Sequence, residues 1–238
     1  AVYWPAFLMS ANLDLPKRIF AHGWWTNEGK KISKSLGNVI NPIEIINQYG
    51  LDQIRYFVLR EITFGNDGDF SISALKSRIN ADLSNDLGNL CQRSLTMINK
   101  HCNSRIPKRD NIGDTEKQFL EKLFHLLPEL SLHIDNQEIN LYLKKIWDIV
   151  AETNKYFNDS KPWELKDTNK KSFENILYVT ADIIKQIAIM IYPVMPQTSV
   201  KILSLFSIEE DSIKIDSLNI NIENIELGNV KPLFPRVE

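Results

Sequence analysis

Cysteine is nearly missing from this chain: Cys91 and Cys102, eleven positions apart, are the only two in 238 residues, and no Cys-x-x-Cys pair occurs. That spacing argues against a disulfide framework and against a structural zinc site, so two reduced thiols and no metal centre are expected. Histidine is as sparse, and His22, His101, His125 and His133 form no ligand-like cluster. Charge of one sign is lacking too. Lys and Arg number 28 against 30 Asp and Glu, a net charge of −2. Bulk charge therefore does not mark a nucleic-acid binder, and any phosphate contact must come from a local patch.

Long hydrophobic runs are absent as well. The longest early one, Ala1 to Met9, contains Pro5 and has no cation ahead of Lys17. It is no signal peptide, and it is far short of the ~20 residues that span a bilayer. It reads as a buried strand running into a helix. The chain begins without Met inside what reads as an element of structure, so residues are expected before Ala1. No internal repeat is visible. What is present, 43% hydrophobic and 24% charged residues, is ordinary for a soluble globular protein of one large or two smaller domains.

Two regimes divide the chain. Up to about Ser73, short apolar runs alternate with Gly, Asn and Pro, as in α/β structure. Arg18 to Gly23 has strand character. Asn41-Pro42 predicts an N-cap and first helical residue for a helix over Ile43 to Gln48, ended by Gly50. Asp52 then predicts a cap for a helix to about Glu61. Beyond Ser73 the spacing of Leu75, Ile79, Leu83, Leu87 and Leu90 predicts one long helix to Ile98, with Gly88 unexplained inside it. Further helices are predicted over Glu116 to Leu132 (capped by Asp114 or Thr115), Glu138 to Asn158, Lys170 to Ile191 and Pro196 to Phe206. Five such helices with short links make an antiparallel bundle, and the Ile-rich tail is expected to cross back over it. The predicted organisation is 1–72 and 73–238.

The chemistry-bearing segment is Lys31-Ile32-Ser33-Lys34-Ser35, three lysines (with Lys30) and two serines bracketed by Gly29 and Gly37. Its ammonium groups and hydroxyls suit an anion such as a triphosphate, and equally suit an ordinary solvated loop. The basic run from Ala74 to Arg109 carries seven cations against Asp82 and Asp86. It offers a phosphate-attracting patch or a plain solvated face. Asn89 and Arg93, four apart, project from one helix face at the edge of the leucine stripe. Trp4 and the Pro162-Trp163 pair read either as core or as ligand-facing aromatics.

Lys31 to Ser35 resembles the Lys-Met-Ser-Lys-Ser signature of class I aminoacyl-tRNA synthetases. The flanks Trp4-Pro5-Ala6, Ala21-His22-Gly23-Trp24, Gly37-Asn38-Val39-Ile40, Tyr49-Gly50-Leu51-Asp52, Arg55-Tyr56-Phe57 and Pro232 to Glu238 are similar to methionyl-tRNA synthetases in particular. The resemblance implies a mainly α chain, the remnant of a Rossmann-type α/β catalytic domain followed by an antiparallel helical-bundle anticodon-binding domain. It implies ATP-dependent activation of methionine to methionyl-adenylate and transfer to tRNA(Met), with Mg2+ accompanying ATP. It further implies no zinc site in this chain, no membrane or DNA partner, and a cytoplasmic setting. Residue by residue, Lys34 is expected to contact the departing pyrophosphate with Lys31 assisting. Lys31, Ile32, Ser33, Lys34 and Ser35 make up the ATP loop, and Trp4 walls the methionine pocket. Asn89, Arg93, Pro162 and Trp163 read the anticodon. The family's His-Ile-Gly-His type motif and zinc-bearing insertion are not in this sequence. The chain alone is therefore expected to hold half an ATP site and to be inert, with apolar surface exposed or order lost over residues 1–35. Two other readings stay open: another class I synthetase (leucine, isoleucine, valine or cysteine), or a tRNA-binding module without catalysis.

Overall fold

The computed structural model describes residues 2–33, 35 and 37–238. Helix α1 (Tyr3–Ser10) opens the chain and has no buried residue. The expected buried strand is therefore wrong: Ala6 to Met9 are good helix formers, and Pro5 falls in the first turn, where its missing N–H is no loss. Nor does Arg18 to Gly23 form a strand. Pairing starts only after Gly23, where Trp24 N donates to Asp67 Oδ1 and Gly68 N to Trp24 O. The sheet has three short strands in the order β2-β1-β3: β1 (Trp25–Asn27), β2 (Lys30–Lys31) and β3 (Gly68–Phe70). Strands β1 and β2 form an antiparallel hairpin, while β1 and β3 are parallel, with Thr26 opposite Asp69. Parallel neighbours need a crossover, and helices α2 (Pro42–Tyr49) and α3 (Leu51–Glu61) supply it. This is the α/β part of the chain.

Helix α2 begins as predicted, with the Asn41 side chain accepting from Ile43 N and Pro42 at the first position. Asp52 does not cap α3. It is 2% exposed, and its Oδ2 accepts from Thr198 N at 2.6 Å. Thr198 lies in the first turn of α10 (Pro196–Ser204), whose own N-terminal residues provide no side-chain cap. One turn along α3, Arg55 donates to the carbonyls of Val194 (2.7 Å) and Pro193 (2.9 Å) just beyond α9 (Lys170–Ile191). The Leu51 to Phe57 motif thus clamps the α9–α10 corner.

The long helix predicted from Ser73 is three pieces: α4 (Ile72–Arg78), a π-helical segment over Ile79–Gly88, and α5 (Asn89–His101). Successive spacings of four drift round an α-helix, because four residues exceed its 3.6-residue turn. A π turn is wider, and it keeps Ile79, Leu83 and Leu87 on the buried side. Its carbonyls are met from α7 (Ile139–Ser160): Trp147 Nε1 donates to Asp82 O, and Asn154 Nδ2 to Asp86 O, both at 3.2 Å. Gly88 is explained here, since a Cβ would lie 2.9 Å from the Leu83 carbonyl oxygen. Helix α6 (Asp114–Asp135) is N-capped by Gly113, which leaves Asp114 in the first turn, where its carboxylate meets the positive helix end.

Helices α6, α7, α9 and α10 with α5 form the bundle. Helix α9 runs through its middle, buried at every residue from Ile176 to Ile191. The tail does return across it, burying Leu218, Ile222, Leu227 and Phe234, with Asn80 donating to the Val237 carbonyl. No helix among the described residues is long and apolar enough to cross a membrane.

Replacing Asp52 with Ala removes the one side-chain acceptor found at the start of α10 among the described residues. The unfolding free energy is expected to fall by about 2 kcal/mol, the scale of a lost cap with a charged partner. Urea denaturation of the Asp52→Ala chain measures it.

Candidate functional site

Two regions carry the predicted site residues. The first is the loop after β2. Lys31 and Ser35 are exposed, while Ile32 and Ser33 are half-buried. Ser33 Oγ lies 2.7 Å from Ser35 Oγ. Ile32 helps line an apolar cavity of about 180 Å³ with Trp25, Ile40, Ile54 and Val58. The turn ahead of the loop is fixed from β3, where Asp69 Oδ1 accepts from Thr26 Oγ1 at 2.5 Å and from Gly29 N at 2.7 Å. These bonds hold the Asp69 carboxyl below its ordinary pKa, the Thr26 hydroxyl acting most. Lys34 falls outside the described residues, and with it the central catalytic expectation. Trp4 stands on α1 with 53% of its surface exposed. His22 Nδ1 lies against its neighbour's carbonyl, Gly23 O, at 2.8 Å. Among the described residues no group of three or more His, Cys, Asp or Glu could hold a metal ion.

The second region lies where α5 begins and α7 ends. Asn89 is the first residue of α5 and Arg93 sits one turn on; both are exposed. At its C-terminus α7 stops in a left-handed residue, Lys161 (φ 42°, ψ 57°), directly before buried Pro162. Left-handed backbone is costly for a side chain as long as lysine's. It makes the corner that starts the short helix α8 (Pro162–Leu165), from which Trp163 projects, 41% exposed. The Arg93 guanidinium carbon is 6.0 Å from the centre of the Trp163 ring and 5.4 Å from that of Phe157. The two rings meet edge to face at 6.3 Å. Arg93 also donates to Asn158 Oδ1 at 2.7 Å. An amide, a guanidinium and an indole therefore share one accessible face, an arrangement able to stack a base and bond its edge.

The basic run is partly paired within the fold. Arg78 pairs with Glu61 at 2.8 Å and Asp82 at 3.2 Å, Arg105 with Glu226 and Arg109 with Glu223. Carboxylates from α3 and the tail thus pair with three of the seven cations that look unopposed along the sequence. Sequence reasoning also missed Phe157 and Asn158. They fall on the last turn of α7, which packs against α5 and so meets Arg93.

Because Trp163 is 41% exposed, Trp163→Ala is expected to cost less than about 1.5 kcal/mol of stability. Phe157→Ala, in contrast, empties a core site and should cost about 3–5 kcal/mol. Urea unfolding of the two variants checks the contrast.

Two family models match: tRNA synthetases class I (M) over residues 1–95, and the anticodon binding domain of methionyl tRNA ligase over residues 106–232. The methionine–tRNA ligase of Brucella suis biovar 1 (strain 1330) is 44% identical over 238 residues, covering 99% of this chain and 46% of its own length. That of Mycobacterium tuberculosis (strain CDC 1551 / Oshkosh) is 45% identical over 209 residues, 86% of this chain and 40% of its own. Among solved structures, Mycobacterium tuberculosis methionyl-tRNA synthetase in complex with methionyl-adenylate superposes with a TM-score of 0.93. It is 40% identical and covers 99% of this chain and 47% of that one. The apo form of that enzyme gives 0.90 at 38% identity, over 100% of this chain and 47% of its own. The chain thus spans about half the length of the relatives it matches. The two family models and these solved structures together match the chain almost throughout, and the chain belongs to the methionyl-tRNA synthetase family of class I aminoacyl-tRNA synthetases.

Proposed function

We propose that this chain is the part of a methionine–tRNA ligase that supplies one jaw of the ATP site, from residues 1–72, and the anticodon-reading bundle, from residues 73–238. The observation that carries the reading is the shared exposed face of Asn89, Arg93 and Trp163. The substrates are methionine, ATP with its Mg2+, and tRNA(Met), in a cytoplasmic setting. In the first step a methionine carboxylate oxygen bonds to the α-phosphorus, the bond to the β-phosphate oxygen breaks, and pyrophosphate leaves. In the second, a hydroxyl of the terminal ribose attacks the methionyl carbonyl and AMP leaves. Neither step needs a covalent bond to the protein, so positioning and charge stabilisation do the catalysis. Lys34, with Lys31, meets the charge growing on the departing pyrophosphate, while Ser33 and Ser35 offer hydroxyls beside it. Trp4 faces the methionine thioether, where a sulfur–aromatic contact is favourable.

At the other region Trp163 stacks on an anticodon base, held at its corner by Pro162, and Asn89 and Arg93 bond the Watson–Crick edges. Stacking is worth about 1–3 kcal/mol per base, so Trp163→Ala is expected to weaken tRNA(Met) binding roughly 5- to 150-fold. An anticodon-mutated tRNA should lose as much on the unaltered chain, and little further on the variant. Filter binding tests both, and equal affinities throughout would reject the reading of this face. Lys34→Ala, placed in an enzyme of the relatives' full length, should slow ATP–pyrophosphate exchange at least about 100-fold while methionine KM stays put. Unchanged exchange would reject the reading of the loop.

A further inference from the structure

We infer that Asn38 is a positioning residue for the signature loop, a clasp that ties its two feet together so that the lysines are aimed before ATP arrives. The inference rests on the ATP-gripping reading of the loop and adds to it a residue outside the signature itself. Asn38 Oδ1 accepts from Ser33 N at 2.9 Å, and its Nδ2 donates to the Lys31 carbonyl at 3.0 Å. Its own carbonyl accepts from Asn27 Nδ2 at 2.8 Å. One side chain therefore joins residues 31 and 33, where the loop leaves β2, to residue 38, where it returns, and a third bond roots both in β1.

The chemistry selects asparagine. Strand β2 is an edge strand of two residues, so the Lys31 carbonyl and the Ser33 amide have no ladder partner beyond it. A single short side chain offering an acceptor and a donor at once meets both. Aspartate would set an oxygen against the Lys31 carbonyl, and glutamine's extra methylene would overshoot. Gly37 (φ 66°) takes the left-handed turn that brings residue 38 back to the strand. Below, Ile32 sits in its apolar cavity beside Trp25 and Ile54, so the loop's base has an anchor on the opposite side from its charges. Closing the feet removes conformations that ATP would otherwise have to select against, which is how pre-organisation raises catalytic rate without new contacts to substrate.

Two measurements test this. On the chain as it stands, amide hydrogen exchange at Ser33 should be protected; Asn38→Ala should remove that protection, while Asn38→Asp, which keeps the acceptor and loses the donor to the Lys31 carbonyl, should only weaken it, and the melting temperature should stay within about 2 °C in both, as for a surface change. In an enzyme of the relatives' full length, both variants should lower kcat for ATP–pyrophosphate exchange about 10- to 100-fold, with methionine KM within about twofold. Wild-type exchange kinetics in Asn38→Ala, or losses that spread to methionine KM and thermal stability together, would overturn the clasp. Lys34→Ala run beside them separates the two claims. If it abolishes exchange while the Asn38 variants do not, the clasp alone fails. If it leaves exchange intact, the ATP reading of the loop fails and takes the clasp's catalytic role with it.

Discussion

A carboxylate and a guanidinium on α3 hold the corner at which the bundle's central helix ends and its last helix begins. That corner is hard to build from local sequence. Pro193 and Pro196 carry no N–H, and the residues leading into α10 provide no side-chain cap. Left alone, the buried Thr198 amide in the first turn of α10 and the carbonyls just after α9 would lack these partners. Asp52 meets the one and Arg55 the other. The signs agree with the helix dipoles, an anion at the amino end and a cation near the carbonyl end. Both groups come from a single turn of the crossover that also orders the small sheet, so the α/β portion and the bundle share their most constrained contact. Behind the clamp, Tyr56 is fully buried and donates to Asp82 in the π segment at 2.6 Å; burial and that carboxylate together push its hydroxyl pKa well above the ordinary tyrosine value.

Helix α9 can be buried throughout because its polar residues close on one another. The Lys185 ammonium has three protons and three acceptors: Asp182 Oδ1 at 2.7 Å and the carbonyls of Leu218 and Ile220 at 3.0 and 2.7 Å. Gln186 takes the second oxygen of Asp182 and the Leu120 carbonyl. An apolar residue at 185 would pack as well, but it would not fix the tail. The two carbonyls come from the tail's 3-10 turn (Ile215–Asn219) and the residue after it. The buried charge therefore specifies where the tail lies more than it stabilises the fold.

Helix content and much of the loop chemistry were legible in the sequence; the phase and pairing of elements were not. Lys170 to Ile191 was readable end to end because apolar residues recur at helical spacing until Pro193. The α5 region was misread in one respect. Leucines at spacings of four look α-helical, and only Trp147 and Asn154, some seventy residues away, reveal that the turn is wider. Asp52 looked like a local cap because its partner, Thr198, lies 146 positions off. The basic run suffered the same blindness, since Glu61, Glu223 and Glu226 are remote in sequence and adjacent in space. Asn89, Arg93 and Trp163 could be singled out by residue type and resemblance, whereas Phe157 and Asn158 needed the packing of α7 against α5.

On the proposed reading, the two regions are held in place in different ways. A face that stacks a base must hold its ring and its hydrogen-bonding groups in register before the RNA arrives, which suits helix ends seated on a buried core. Here both helix ends are irregular: a π segment runs into Asn89, and a left-handed lysine precedes Pro162. Each irregularity carries a local cost that only dense packing behind it can offset, and Leu87, Leu90, Phe157 and α9 provide that packing. The signature loop has no such backing beyond Ile32. It leaves a two-residue edge strand, and the amide of Asn38 joins Lys31 and Ser33 to the returning chain. On the proposed reading, one face is held by packing on a buried core and the other by a few directional hydrogen bonds, so a lost methylene group is felt at the first and a lost amide at the second.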